Sequence, residues 1–164
     1  MGTATYTGFA SGEYLANAGT DLRTTIGNLQ YGEYDGRARL TADFDVMELS
    51  GLIDHIYLKN IRDIPRGENE ALPPIPGPHL SEHAITLHPV PITQEGAFSG
   101  GDVTFNSTRL DIISSDGNFE GNFSNVNDHE GHPRAVAGVH EVSLETAGGS
   151  TATFNGMFYA ITAE

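Results

Sequence analysis

The chain has 164 residues, a formal net charge of −14 and no cysteine. Its length suits one well-buried domain and is short for two. Only eight lysines and arginines stand against 22 acidic residues, which argues against nucleic acid or an anionic membrane surface as a partner, because both attract cations. Without cysteine, the chain forms no disulfide, no thiolate zinc site and no cysteine nucleophile.

The sequence also carries no sign of membrane insertion. No apolar run is long enough for a membrane span, and no stretch has the charged start and apolar block of a signal peptide. An acidic, soluble surface suits a periplasmic, extracellular or high-salt setting. We therefore expect no membrane insertion, and we interpret Met1-Gly2 as a start from which a natural leader has been removed.

The first clear pattern in chain order is a pair of strands between residues 36 and 58. From residue 37 to 46, apolar and polar residues alternate, which predicts a strand with one buried and one solvated face. The next run, from 49 to 58, carries apolar residues on both faces. Its predicted outer apolar face consists of Leu52, Ile56 and Leu58. Something should therefore cover this strand on its outside as well.

Five glycines fall inside strand patterns, each between two large or apolar residues on the same face. They are Gly8, Gly51, Gly121, Gly138 and Gly156. In a small closed barrel, glycine between aromatic residues lets side chains from other strands fill the interior. The pattern therefore favours a closed barrel, with bulges or turns at these glycines as the alternative.

These patterns predict a single all-β domain over residues 1–164: an antiparallel, up-and-down β-barrel of about eight strands with a long proline-rich loop. Strands are expected near 3–10, 36–46, 49–59, 83–88, 97–105, 108–114, 117–126, 134–144 and 151–162. One of the two short runs between 97 and 114 is expected to be an extension. Asp116-Gly117 and Gly148-Gly149 are predicted tight turns, because glycine supplies the positive φ that such turns need.

A proline-rich segment interrupts the regular pattern. Residues 60–91 hold seven of the eight prolines, and proline cannot donate to the ladder of a sheet. We therefore predict an extended loop at about 60–82, over the surface or across a barrel mouth. Leu72, Ile75 and Leu80 are expected to dock this loop onto the barrel.

Several motifs together resemble the eight-stranded barrel domain of transferrin-binding protein B, a family that includes factor H-binding protein and hemophilin-like haem binders. They are the ADF hairpin followed by Leu49-Ser50-Gly51-x-Ile53, then NFEGNF at 118–123, PRAVAGV at 133–139 and ATFNGMF at 152–158. The resemblance spans residues 4–160. It implies an exported bacterial binding module, often displayed on the surface and serving iron or haem acquisition, with no catalytic activity.

The chain departs from the family pattern in three ways: it has no lipobox cysteine, no room for a handle-like second subdomain, and a strongly acidic composition. These departures point away from transferrin itself. We expect a transferrin-binding-protein-like solute-binding protein that holds a solute, or a haem or iron source, through loops at a barrel mouth. The alternative is a protein-interaction module that presents its barrel wall and loops to a host or bacterial protein.

Four histidines and one tyrosine are the candidate ligand-binding residues. The glycine-face pattern predicts that His55 and Tyr57, and likewise His140, point into the barrel. A buried imidazole there is either a satisfied core residue or a ligand of haem iron or a metal. His79 and His83 flank the proline-rich loop, whose Pro, Leu and Ile side chains suit a porphyrin face. For these two histidines, the alternative is a solvated loop position.

The run from Asp128 to His132 packs four possible metal ligands into five residues. Successive side chains seldom converge on one ion, so a solvated turn competes with a metal site there. The chain lacks a Gly-x-Ser-x-Gly elbow, a phosphate loop, a dinucleotide fingerprint and a His-Glu-x-x-His helix. We therefore expect no enzyme. The sequence leaves metal and cofactor open, with haem as one candidate.

Overall fold

The structure of the protein, a computed structural model, describes residues 2–17, 31–60, 75–80, 83–108 and 110–162, with backbone alone for residues 59, 60 and 75–80. Nine strands follow one another: β1 (Thr3–Asn17), β2 (Tyr31–Asp43), β3 (Glu48–Asn60), β4 (Ile75–Leu80), β5 (His83–Pro91), β6 (Ala97–Ser107), β7 (Ile112–Phe123), β8 (Ala135–Thr146) and β9 (Thr151–Thr162). No described segment is a helix long and apolar enough to cross a lipid bilayer.

The strands form a sheet that closes on itself. Every recorded pairing is antiparallel, and each strand lies beside the next along the chain, except that β3 pairs with both β4 and β5. β4 pairs with the second half of β3 and β5 with its first half, so the two short strands share one position in the wall. Pairing of β1 with β9 closes the ring. The predicted eight-stranded, up-and-down β-barrel is confirmed.

Side chains alternate between the interior and the outer wall. In β9, Phe154 and Phe158 are buried, and the residues next to them in the chain are more exposed. The interior is rich in aromatic rings: the Phe98 ring lies 5.8 Å from Phe119 and 6.4 Å from Phe158, measured between ring centroids. The largest fully buried side chains include Tyr6, Tyr14, Tyr34, Phe98, Phe119 and Phe158.

The in-strand glycines make room for these rings. A Cβ atom added to Gly138 would lie 2.5 Å from the Phe158 ring, and one added to Gly121 would lie 2.6 Å from the Phe98 ring. Both distances are too short for real carbon contacts. These two glycines therefore face the interior, and the sequence interpretation of in-strand glycine as space for aromatic rings is confirmed for them. At Gly8 and Gly51 the nearest atoms belong to the neighbouring backbone and to Leu40, so close packing of strands accounts for these two.

A β-bulge in β3 reverses the side-chain alternation. The pairing of β2 with β3 shifts register beside Gly36, and His55 at this bulge has φ of 51°. Beyond it, Ile56 and Leu58 are fully buried. The predicted outer apolar face of these two residues with Leu52 is therefore wrong, because one extra residue turns every following side chain to the other side of the sheet.

One of the two predicted tight turns is wrong. Asp116 and Gly117 lie inside β7, opposite two residues of β8, so the predicted strands 108–114 and 117–126 are largely one strand. A Cβ atom at Gly117 would collide with a backbone carbonyl of β8, so close packing rather than a turn accounts for this glycine. The predicted turn at Gly148-Gly149 is confirmed, with φ of 80° at Gly149.

Part of the predicted proline-rich loop is strand β4. The loop prediction is wrong for residues 75–80, because Ile75 and Leu80 pair with the backbone of β3. Proline is tolerated at a sheet position whose N–H is not needed by a neighbour, which suits Pro76 and Pro78. Residues 61–74 and 81–82 of the predicted loop lie outside the described residues, as do the side chains that were expected to dock it.

Candidate binding surfaces

His140 lies inside the barrel, where the glycine-face pattern predicted it. Its side chain is 2% exposed. Its Nε2 atom is hydrogen-bonded with the Tyr34 hydroxyl, and the Phe158 ring stacks on the imidazole at 6.1 Å. Burial lowers the pKa of His140 to about 4 and raises the pKa of Tyr34 above its usual range. The imidazole is therefore neutral, and its Nδ1 atom has no partner among the described residues.

The predicted inward orientation of His55 and Tyr57 is wrong. The side chain of His55 is 62% exposed, and its Nδ1 atom lies 3.0 Å from Oδ1 of Asp54. Tyr57 is half-buried on the outer side, because the bulge reverses the alternation before it. In the register Tyr57 stands opposite His79 of β4. Two candidate residues thus occupy paired backbone positions in the wall, on different strands from His140.

His83 begins β5 at one end of the barrel. Its imidazole is buried and stacks on the Phe105 ring at 5.7 Å. It stands opposite Ser107, the last residue of β6. At this end, which we call the mouth end, β1, β3, β6 and β8 finish and β2, β4, β7 and β9 begin. The buried Tyr14 hydroxyl lies near the same end and has no partner among the described residues, and burial raises the pKa of Tyr14 to about 12.

The Asp128–His132 run forms a capped turn at the opposite end of the barrel. Oδ1 of Asp128 accepts the backbone N–H groups of Glu130 and His132, each at 2.9 Å. Burial opposes ionisation of Asp128, but these donors lower its pKa below the usual value. The His132 ring stacks on Phe44 at 5.6 Å. Across the described ranges, no group of three or more His, Asp or Glu side chains is arranged to hold a metal ion.

Sequence reasoning missed an apolar surface on the outer wall. It consists of Phe9, Val139, Met157, Tyr159 and Ile161, which we call the outer-wall patch. Phe9 stands directly opposite Tyr159, with ring centroids 6.0 Å apart, and Val139 stands opposite Met157. Phe9 is 59% and Met157 58% exposed. The missed signal is in β9, where residues 157, 159 and 161 are apolar on the face opposite to Phe154 and Phe158.

The groove beside this patch is also apolar. It crosses the outside of β6 to β9 and has a volume of about 750 Å³ open to solvent. Gly121 and Gly138 form part of its floor, and Met157 and Tyr159 form one rim. The patch and the groove together make the outer face of β8 from Ala137 to Val139, and of β9 from Met157 to Ile161, largely apolar.

A positively charged cluster lies on the neighbouring strand. In the register Arg37 stands opposite Phe9, and Arg39 stands opposite Thr7. Both guanidinium groups donate to the carboxylate of Asp54, with Arg37 Nε 3.0 Å from Oδ1. Burial opposes ionisation of Asp54, but these donors lower its pKa to about 2. The two guanidinium groups thus share the Asp54 carboxylate, and Asp35 lies two positions before Arg37 on the same face of β2.

The strand pairing and the burial of side chains define the class of protein. It is an eight-stranded antiparallel β-barrel with an aromatic interior and the outer-wall patch on its surface. No family model and no curated protein matches the chain.

Proposed function

We propose that this protein is a non-catalytic binding module and that it binds another protein through the outer-wall patch. The observation that carries the proposal is the set of five exposed apolar side chains on three adjacent strands. Contiguous exposed apolar surface marks interaction sites in soluble proteins. Aromatic and methionine side chains such as Tyr159 and Met157 are enriched at protein interfaces.

The filled interior supports the wall rather than the barrel lumen as the binding surface. Phe98, Phe119 and Phe158 pack against one another, and Tyr34 and His140 occupy the space beside them. A ligand at that position would have to displace close-packed rings. The barrel would lose their packing contacts, because its surrounding walls can relax only in part to replace them. Binding on the outer wall requires no such rearrangement.

The wider setting of the proposal comes from the sequence. The motifs resemble the barrel domain of the transferrin-binding protein B family, whose members are exported, and the acidic composition suits such a setting. We therefore propose a transferrin-binding-protein-like module at the cell surface, in the periplasm or secreted, with a host or bacterial protein as its partner.

Site-specific photocrosslinking tests the wall directly. A photoreactive benzoyl-phenylalanine replaces Tyr159, and in a matched control it replaces Asn106, an exposed residue of β6 away from the patch. In the cells that produce the protein, we expect one discrete protein adduct from position 159, absent from position 106 and lost when Met157→Ser is added. Absence of any protein adduct at position 159 would overturn the proposal.

A second candidate function is binding of a solute or haem at the mouth end. The observation that favours it is a pair of buried polar atoms, the Tyr14 hydroxyl and Nδ1 of His140, that have no partner among the described residues. Buried polar atoms of this kind call for a water molecule or a ligand. His83 lies at the same end, and His79 and Tyr57 are neighbours in the wall nearby.

Haem titration followed by Soret absorption tests this candidate. Haem ligation by one histidine predicts a sharp, shifted band that saturates near one haem per chain and disappears in His79→Ala, His83→Ala or His140→Ala. The control is His55→Ala, since His55 is exposed on the outer wall. If the spectrum stays that of free haem, haem is not the ligand.

A further inference from the structure

Three glutamates lie across one end of the outer-wall patch. In the register, Glu33 of β2 stands opposite Glu13 of β1, and Asn155 of β9 separates Glu13 from Glu141 of β8. All three glutamates are exposed. Like charges directly opposite each other destabilise an antiparallel pair. The pair of Glu33 and Glu13 therefore favours a cation bound above it.

Two arginines lie at the other end of the patch. We call residues that stand opposite one another on neighbouring strands a row. Arg39 lies in the row of Ile161, and Arg37 lies in the next row, beside Phe9. Arg39 and Glu33 are six positions apart on β2, which is about 20 Å of extended strand. Along β2 the outer face thus changes from Arg39 and Arg37 at one end to Asp35 and Glu33 at the other, while β9 and β8 are apolar in the two middle rows.

We propose that a second copy of this chain docks on the outer-wall patch with its strands running in the opposite direction, so that Arg39 of each copy meets Glu33 of the other. This proposal rests on the proposed function, in which the patch binds a protein. A two-fold axis across the strands, between the rows of Tyr159 and Met157, reverses the order of the rows. The Arg39 row then covers the Glu33 row, and Tyr159 covers Met157.

Charge distribution is the reason for choosing a second copy. The antiparallel arrangement brings cations to the crowded glutamates at both ends, whereas the parallel arrangement stacks glutamates on glutamates. Such complementarity fixes orientation and register at an interface. The same pairing also joins the two apolar rows, so one surface supplies both halves of a self-complementary contact.

The expected dimer is weak. The patch together with Arg39 and Glu33 of β2 spans four strands, about 14 Å across, and a small interface of this kind belongs to transient complexes. The net charge of −14 on each copy also opposes association. We expect a dissociation constant on the order of 10–100 µM, so the dimer forms where the protein is concentrated.

Charge reversal with complementation tests the register. Sedimentation velocity is run on the wild type, on Arg39→Glu, on Glu33→Arg and on a one-to-one mixture of the two variants, at about 5 to 500 µM. Each variant alone brings like charges together at both contacts, and we expect its dimer to weaken at least about tenfold. In the mixture both contacts pair an arginine with a glutamate, so the dimer should return.

The matched control is Glu145→Arg alone, because Glu145 is exposed on β8 outside the patch; this variant keeps Arg39 and Glu33 and should dimerise as the wild type does. Thermal melting checks that each variant is folded. Wild-type protein that stays monomeric would overturn the proposal, and so would Arg39→Glu or Glu33→Arg protein that dimerises as well as the wild type. If the wild type is monomeric but position 159 crosslinks to a different protein, the dimer is excluded and the proposed function stands. If position 159 gives no protein crosslink either, the dimer and the proposed function both fail.

Discussion

The Tyr34 hydroxyl and Nε2 of His140 are hydrogen-bonded inside the barrel across 106 positions of the sequence. Between them, in the same row of the wall, lie Gly12 of β1 and Gly156 of β9. A Cβ atom at Gly156 would lie 2.5 Å from the Tyr34 hydroxyl oxygen. The two glycines thus leave the space that lets a side chain of β2 reach one of β8.

Removal of the Tyr34 hydroxyl should destabilise the fold. Tyr34→Phe leaves Nε2 of a fully buried imidazole without its partner, and we expect a loss of about 1–3 kcal/mol in the free energy of unfolding. Urea denaturation measures the change. The control, Tyr159→Phe, removes a hydroxyl from the exposed wall and should change stability by less than about 0.5 kcal/mol. Equal effects of the two substitutions would contradict a structural role for the Tyr34 bond.

The stability of the protein should fall as the pH drops from 7 towards 4. Burial holds the pKa of His140 at about 4, whereas an unfolded histidine has a pKa near 6.5. The unfolded state therefore binds the proton first, and the folded state loses about 2 kcal/mol between pH 7 and pH 5 from this group. Below pH 4 the folded state is protonated too, and the loss stops growing.

A histidine substitution isolates that contribution. His140→Gln removes the titrating group, so its free energy of unfolding should change less between pH 7 and pH 5 than that of the wild type. His129→Gln is the control, because His129 is exposed in the turn between β7 and β8. An unchanged pH slope in His140→Gln would mean that another group governs acid stability.

Filling the space at Gly156 should also be costly. Gly156→Ala brings a methyl group against the Tyr34 hydroxyl and a backbone carbonyl of β1, and overpacking of this kind costs about 1–3 kcal/mol. The neighbouring Asn155→Ala on the outer face should be close to neutral. Because the carbonyl remains in place, Tyr34→Phe should not restore the stability of Gly156→Ala. Full restoration in the double variant would show that the hydroxyl alone limits the space.

The bulge at His55 predicts that glycine is more stabilising at this position than a β-branched residue, the reverse of the usual preference in a strand. With φ of 51°, this position suits glycine, and a β-branched residue there should cost about 1–2 kcal/mol relative to glycine. We expect His55→Gly to keep wild-type stability or exceed it, and His55→Val to lose stability. Thermal denaturation of the two variants measures this difference. A more stable His55→Val would mean that the strand is regular in solution.

The barrel was predictable because its signals lie within single strands. The alternation in β2, and the glycines that stand between large residues of the same face in β7, β8 and β9, each indicate one buried face, whatever the neighbouring strand is. The register between strands carries no such local signal. The bulge at His55 depends on how β3 meets Gly36 of β2, so the direction of His55 and Tyr57 was predicted wrongly, while His140 in regular β8 was predicted correctly.

Strand β4 and the outer-wall patch were missed for different reasons. In β4, Pro76 and Pro78 argue against a strand unless one knows that the segment pairs along β3. In β9, Tyr159 and Met157 belong to a clear alternation, but the sequence interpretation considered only the buried face of this strand and not the exposed one. Reading both faces of each strand would have located the patch from the sequence.

Alternate residues of strand β9 face the interior and the outer wall, and the two sets have different roles. Phe154 and Phe158 are packed in the interior, while Met157, Tyr159 and Ile161 form the surface that we propose as the binding site. Because substitutions on the exposed face cost little stability, these three residues can change without unfolding the barrel. If the wall binds a protein as proposed, its specificity can therefore change by single substitutions while the buried residues of the same strand stay constant.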